Sequence, residues 1–315
     1  MKCSILISTY NRATHLRETL ASLGRVQVPQ GIQAEAVIID NRSTDETPEV
    51  IHNAHSPVMP IRYLYEPRPG KSHALNRALA ATQSDILLFT DDDLRFPTDW
   101  IERMCLPIRQ GGFHGVVGGV KTAPHLIRPE IDAFCYELLA DTGNFDPKNP
   151  TQMVGANMAI AREVFSRIPA FDPELGPAGH GSGEEGILTL QFLCAGFRLA
   201  TALNVTVEHH FEKFRLQRKS FVALADKVGR STAYVLYHWD HYGMTKAPAR
   251  LMRERLCYLQ WRLHNAGESR REFGIHPTEM NFLVEIAKYR QWKIESSRPR
   301  NYEKHGLVKI NGIKS

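Results

Sequence analysis

Through its first 120 residues the chain alternates short runs rich in Ile, Val and Leu with stretches whose apolar residues recur every three to four positions. The runs are Cys3–Thr9, Ala36–Asp40, Ile61–Tyr65, Ile86–Thr90 and Gly115–Val120, and the periodic stretches are His15–Leu23, Glu46–Ala54, Ser72–Ala81 and Thr98–Ile108. A period of two changing to 3.6 and back predicts strand–helix–strand units. Such units build a largely parallel sheet with helices on both faces. Ligands of these sheets sit at the carboxyl ends of the strands, near the point where the strand order reverses. The chemistry is therefore expected where the strands end.

Three of these ends carry patterned polar residues: Ser8-Thr9-Tyr10-Asn11-Arg12, Asp40-Asn41-Arg42-Ser43-Thr44-Asp45 and Thr90-Asp91-Asp92-Asp93. Asn, Asp, Ser and Thr also cap helices, and Thr44 before Glu46-Thr47 fits a simple cap. Three consecutive aspartates ask for more, because like charges at one terminus repel unless a cation neutralises them. A metal or metal–phosphate site is expected there.

At 43% hydrophobic and 23% charged over 315 residues, the chain has ample material for a core. It lacks an apolar run long enough to span a bilayer, and the short N-terminal run reads as a strand rather than a signal peptide. Five scattered cysteines without CxxC spacing argue against a disulfide framework or a zinc knuckle and fit a reducing cytoplasm. Charge is divided unevenly: residues 1–210 carry a net −6 and residues 211–315 a net +11. An acidic body with a basic end implies one site for cations and one surface for anions, or simply a solvated helical face. Nucleic acid is not expected, since it would explain none of the carboxylates.

After Val120 the pattern loosens into a Pro-rich excursion, Thr122–Pro150, with one short helix around Ile131–Ala140. Met153–Ile160 alternates like a half-buried strand. The glycine-rich stretch Gly176–Gly183 resembles a mobile lid and leads into Glu184-Glu185 at the start of an amphipathic helix, where capping alone would also favour two carboxylates. Beyond His209-His210 the chain turns helical. Phe221, Leu224, Val228 and Val235 form one stripe; Met252, Leu256, Leu259 and Leu263 form another, with Arg250, Arg253 and Arg262 off it. Trp239, Trp261 and Trp292 lie in this basic region, and Ser296–Ser315 reads as a poorly ordered tail.

Taken in order, these elements resemble the family 2 glycosyltransferases with the GT-A fold. The elements are Ser8–Arg12, the Asp40–Asp45 turn, Glu66-Pro67-Arg68-Pro69-Gly70-Lys71-Ser72-His73-Ala74-Leu75-Asn76, Asp91–Asp93, Gly155-Ala156-Asn157 with Phe171-Asp172, Gly183-Glu184-Glu185, and Val207-Glu208-His209. The resemblance covers about residues 2–235. It implies a GT-A catalytic domain over 1–215, with nucleotide-sugar binding about 1–121 and the acceptor side about 122–215, followed by a helical region, 216–315. It implies an inverting transfer from a nucleoside-diphosphate sugar, UDP-type favoured, to a saccharide or lipid-linked saccharide in polysaccharide or glycoconjugate synthesis.

The same resemblance assigns roles. Thr9, Tyr10, Asn11 and Arg12 would enclose the nucleoside, Asp40 would accept the imide N–H of the base, and Arg68 and Lys71 would bring positive charge. Asp91 and Asp92 would face the donor. Asp93, Asp91 and His209, or His210 in its place, would hold Mn²⁺ or Mg²⁺. Glu185, or Glu184, would be the general base, a glutamate where the family usually has aspartate. Aromatic and basic helices imply peripheral contact with an anionic membrane at the cytoplasmic face, and an oligomer is compatible. A nucleotidyltransferase, or a non-catalytic sugar-nucleotide-binding protein, is the alternative.

Overall fold

The computed structural model describes residues 1–314. Its first half follows the predicted alternation: β1 (Lys2–Thr9), α1 (Ala13–Leu23), β2 (Gln33–Asp40), α2 (Thr47–His52), β3 (Ile61–Tyr65), α3 (Lys71–Ala81), β4 (Ile86–Thr90), a two-residue β5 (Leu94–Arg95), α4 (Trp100–Arg109) and β6 (Gly115–Thr122). The short helix of the excursion is α5 (Ala133–Glu137). Then come β7 (Asn157–Ala161), α6 (Glu184–Cys194), β8 (Leu199–His209), α7 (Arg218–His238), α8 (Ala247–His264) and α9 (Pro277–Glu295).

The eight strands form one sheet in the order β3-β2-β1-β4-β7-β6-β8-β5. β1, β2, β3 and β4 run parallel; β7 pairs antiparallel with both β4 and β6, and β5 antiparallel with β8. The parallel strands read as continuous apolar runs because both faces are covered. Ile5, Ile7, Ile38 and Leu88 face the α1, α2 and α4 side, while Leu6, Val37, Leu87 and Phe89 face α3 and α6. Strand order reverses at β1, whose neighbours are β2 and β4, so a crevice opens between the ends of β1 and β4. Met153–Ala156, read as part of a strand, is instead irregular, and β7 begins at Asn157. A turn closed by the Asn157 N–H on the Val154 carbonyl makes the break, and the buried Asn157 side chain donates to the carbonyls of Gly119 and Val205 and accepts from the Trp100 indole, tying three elements together.

The basic third is folded rather than loose. α7 and α9 cross at Gly229, where any Cβ would run into the backbone of α9 at Val284. The stretch 296–314, expected to be poorly ordered, returns along the sheet-bearing part of the chain as a strap. Asn301 and Tyr302 are buried, and Lys309 pairs with Asp172 at 2.5 Å and Glu174 at 2.9 Å. Asp172 also accepts from the hydroxyls of Tyr234 and Tyr302 at 2.6 and 2.7 Å. Burial would raise the Glu174 pKa, but Lys309 and Arg298 outweigh it and hold Glu174 at about 2. Trp239 and Trp292 are buried as well, so neither is available to a membrane surface. Trp239 packs in a cluster with Leu175, Ile187 and Tyr302, and Trp292 in one with Ala233 of α7 and Ala247 of α8, where large aromatic rings bury much apolar area.

Removing the strap's ammonium leaves two buried carboxylates short of their partner. Lys309→Met should therefore cost about 3–5 kcal/mol, measured as a fall in unfolding free energy in urea.

Candidate functional site

The carboxylates predicted at the strand ends meet at the reversal point, and cations of the chain itself neutralise them. Arg12, just beyond β1, reaches across to the end of β4: its guanidinium lies 2.9 Å from Asp92, 2.5 Å from Asp93 and 2.8 Å from Glu212. Lys71, the first residue of α3, lies 2.8 Å from Asp91 and 3.1 Å from Glu185. A lysine opening a helix works against the helix dipole, so the carboxylates must hold it there. Burial pulls its ammonium down, but Asp91, Glu185 and Glu184 together keep its pKa well above the usual lysine range.

Burial divides the acids. Asp92 is pushed up to about 7, chiefly by desolvation. Asp93 is equally buried, yet His209 and Arg12 hold it far below the ordinary carboxylate range. Its Oδ1, 3.3 Å from His209 Nε2, is buried without a hydrogen-bond partner. His209 Nδ1 is 3.0 Å from the Leu139 carbonyl, which can only accept, so that nitrogen carries a proton and Nε2 faces Asp93. Asp91 does not join this pair; its carboxylate turns to Lys71. Neighbouring His210 points elsewhere, toward Glu208 and the ring of His125.

The two glutamates differ in the same way. Glu184 is buried, and desolvation followed by the charge of Glu185 pushes it up to about 8. Glu185 lies against Gly155, where any Cβ would overlap its carboxylate, and this close approach is what the Gly155 position requires. The glycine-rich stretch before them is closed by its own backbone bonds, Gly176 N–H to Ser182 and His180 N–H to Glu174, and is fastened to α7 through Ser182 and Ser231.

A cleft of about 570 Å³ opens over this constellation. Thr9, Tyr10, Arg12, Lys71, Asp91, Asp92, Asp93 and His209 line it. Other residues singled out from the sequence do not. Asn11 uses its amide oxygen and backbone N–H to join the loops after β1 and β2, accepting from Thr44 and donating to Ser43. Asp40 is buried, accepting from the Ser43 N–H at 2.8 Å and the Tyr63 hydroxyl at 3.1 Å. Arg68 folds back onto Glu66 at 2.9 Å. Glu184 and Glu185 stand behind Lys71. Sequence reasoning missed Arg215, which lines the cleft, and Glu212, the third partner of Arg12. Both follow β8 within seven residues, and only the pairing of β8 with β6 and β5 brings that end beside β4.

The crevice lies where open α/β sheets of this topology bind their ligands, and comparison with known proteins identifies the family. The model of glycosyl transferase family 2 matches residues 4–168, more than half of the chain, and the chain belongs to that family. Its fold is the GT-A fold. It is 32% identical over 209 residues to the succinoglycan biosynthesis protein ExoM of Rhizobium meliloti (strain 1021), covering 62% of each chain. It is 27% identical over 198 residues to ExoA of the same strain, covering 62% of this chain and 59% of ExoA. The matched stretch thus spans less than two thirds of these relatives. Among solved structures, the mannosyltransferase PcManGT of Pyrobaculum calidifontis, in complex with GDP-Man and Mn²⁺, superposes with a TM-score of 0.60 at 18% identity, over 92% of this chain and 87% of that one. Glucosyl-3-phosphoglycerate synthase of Mycobacterium tuberculosis with Mn²⁺ and UDP-Glc gives 0.52 at 21%, over 75% and 78%. At these identities the likeness is one of fold.

A pH-dependent cost follows from Glu184. Folded, it releases its proton near 8; unfolded, near the ordinary 4.5. Each rise in pH across that window therefore favours the unfolded chain. Glu184→Gln should melt near the parent at about pH 5 and above it at about pH 8.5, read by calorimetry.

Proposed function

We propose that the chain transfers a hexose from a nucleoside-diphosphate sugar, of the UDP type, to a saccharide or lipid-linked saccharide acceptor, with inversion at the anomeric carbon and a divalent cation, Mn²⁺ or Mg²⁺. The observation that carries the reading is the Lys71 ammonium, bridging Asp91 in the cleft and Glu185 beyond it. One side chain thereby couples the end that would hold the donor to the end that would activate the acceptor. The two superposed structures hold sugar nucleotides together with Mn²⁺, and ExoM and ExoA are succinoglycan biosynthesis proteins, which supports the donor and acceptor classes.

The residues fit such a cation. Asp93 and His209 offer an orphaned carboxylate oxygen and an imidazole nitrogen 3.3 Å apart, close to the ~3 Å between adjacent ligands of an octahedral ion. The Leu139 carbonyl fixes the ring as second-shell partners of metal-bound histidines do. When bound, the cation supplies a Lewis acid for the charge growing on the leaving diphosphate.

The chain's own residues do the rest. Lys71 and Arg215 add positive charge at the cleft, and Tyr10 on its rim offers a face for the base. Glu185, ion-paired to Lys71, takes the proton of the acceptor hydroxyl as that oxygen attacks the anomeric carbon and the bond to the diphosphate breaks. Glu184, which holds its proton at neutral pH, leaves that task to its neighbour. The residues 1–215 form the catalytic unit in this reading, with 216–315 as its support.

Glu185→Gln should lower turnover by about 10²–10⁴ while donor KM stays near the parent. In the same assay a panel of nucleotide sugars should show UDP donors used best, with product of opposite anomeric configuration by proton NMR. Parental turnover in the variant would remove Glu185 from the role, and retained configuration would exclude the single displacement.

A further inference from the structure

The stripe Met252, Leu256, Leu259 and Leu263, which spacing alone would assign to a core, faces outward. Each residue is more than half exposed, Leu263 at 81%. α8 packs on its neighbours through the opposite side: Leu251 joins Tyr289 and Trp292, Tyr258 donates to Glu279, and the ring of Trp261 lies 5.4 Å from that of His276. At 3.6 residues per turn the four apolar residues fall within about 60° of one another. Arg253 flanks them on one side, and Arg255 and Arg262 on the other. Among the described residues Arg250, Arg255 and Arg262 have no carboxylate partner, while Arg253 meets only its neighbour Glu254. Glu254 is the single acid of the helix, and it is buried.

We propose that this face of α8 docks the enzyme on an anionic lipid bilayer. Three features select that occupant. The apolar residues form a convex ridge on one helix, a shape that beds into the boundary between headgroups and acyl chains. The arginines beside the ridge have stems long enough to lie along it while their guanidinium groups reach lipid phosphates and carboxylates. A second copy of the chain would bring the same unpaired arginines against these, with no exposed acid on the helix to meet them. The site also lies well for an acceptor carried in the membrane. Tyr258 of α8 shares Glu279 with Arg218 at the start of α7, and Arg215, three residues earlier, lines the cleft. Docking goes beyond the transferase reading and does not depend on it, because it is measured without donor or metal.

The test is flotation of the full chain with phosphatidylcholine vesicles containing roughly 30% phosphatidylserine, against vesicles of phosphatidylcholine alone. The chain should float with the anionic vesicles at low salt and dissociate at about 0.5 M salt, where the Debye length falls to a few ångström. Leu259→Gln with Leu263→Gln should abolish flotation, and each of Arg253→Gln, Arg255→Gln and Arg262→Gln should weaken it about fivefold. All five positions are exposed, so the melting temperature should stay at the parental value. Parental flotation of the double leucine variant would overturn the proposal, as would failure of the parent to float at low salt. A dimer by light scattering that the leucine substitutions dissolve would assign the ridge to a second copy instead.

Discussion

The reach of Arg12 from the end of β1 to Asp92 and Asp93 at the end of β4 is the contact on which the site depends. Parallel strands with a reversal between them bring their termini together, and here those termini carry three aspartates within three residues. Burying such a cluster is prohibitive without compensation. Arg12 and Lys71 supply it from two different strand ends, dividing the acids into a group of Asp92, Asp93 and Glu212 and a group of Asp91 and Glu185. The division leaves one oxygen of Asp93 to face His209 Nε2 at 3.3 Å.

The second dependence runs from the far end of the chain. The family model ends at residue 168, before the two glutamates. The stretch that presents them, Asp172 to Gly183, is anchored by residues the family pattern does not include: Tyr234 on α7, Glu295 at the end of α9, and Arg298, Asn301, Tyr302 and Lys309 of the strap. His238 completes this network in a defined form. Its Nδ1 accepts from the Asn301 N–H, so its Nε2 carries the proton toward Glu295 at 2.9 Å. The basic C-terminal third thus acts partly inward, setting Arg298 and Lys309 against the buried Asp172 and Glu174.

What the sequence made legible was local and periodic. β3 and β4 fall on the residues expected, and β1, β2 and β6 differ at their ends only, because apolar runs buried on both faces report themselves directly. The aspartates and the glutamate pair stood out because like charges in a row are hard to place anywhere else. Side-chain direction was not legible. Nothing in Asp91-Asp92-Asp93 says that the first turns to Lys71 while the third meets His209; that depends on β8 returning beside β4. Asn11, Asp40 and Arg68 have the residue types of a binding site, yet they spend their polar atoms on neighbouring loops. The tail looked loose because Lys, Asn and Gly are counted as polar, although their partners, Asp172 and Glu174, lie more than a hundred residues away. The α8 stripe was legible as a stripe but its exposure was not, since amphipathic spacing shows that a face exists but not what covers it.

The central claim is that Asp93 and His209 hold the divalent cation shared with the donor's diphosphate. Electron paramagnetic resonance of free Mn²⁺, titrated with the protein and UDP, tests it without turnover. The account predicts that the wild-type chain with UDP removes the free-ion signal at one Mn²⁺ per chain, and that Asp93→Asn and His209→Ala leave it standing. Equal loss of signal with wild type and Asp93→Asn would contradict the account and place the ion elsewhere.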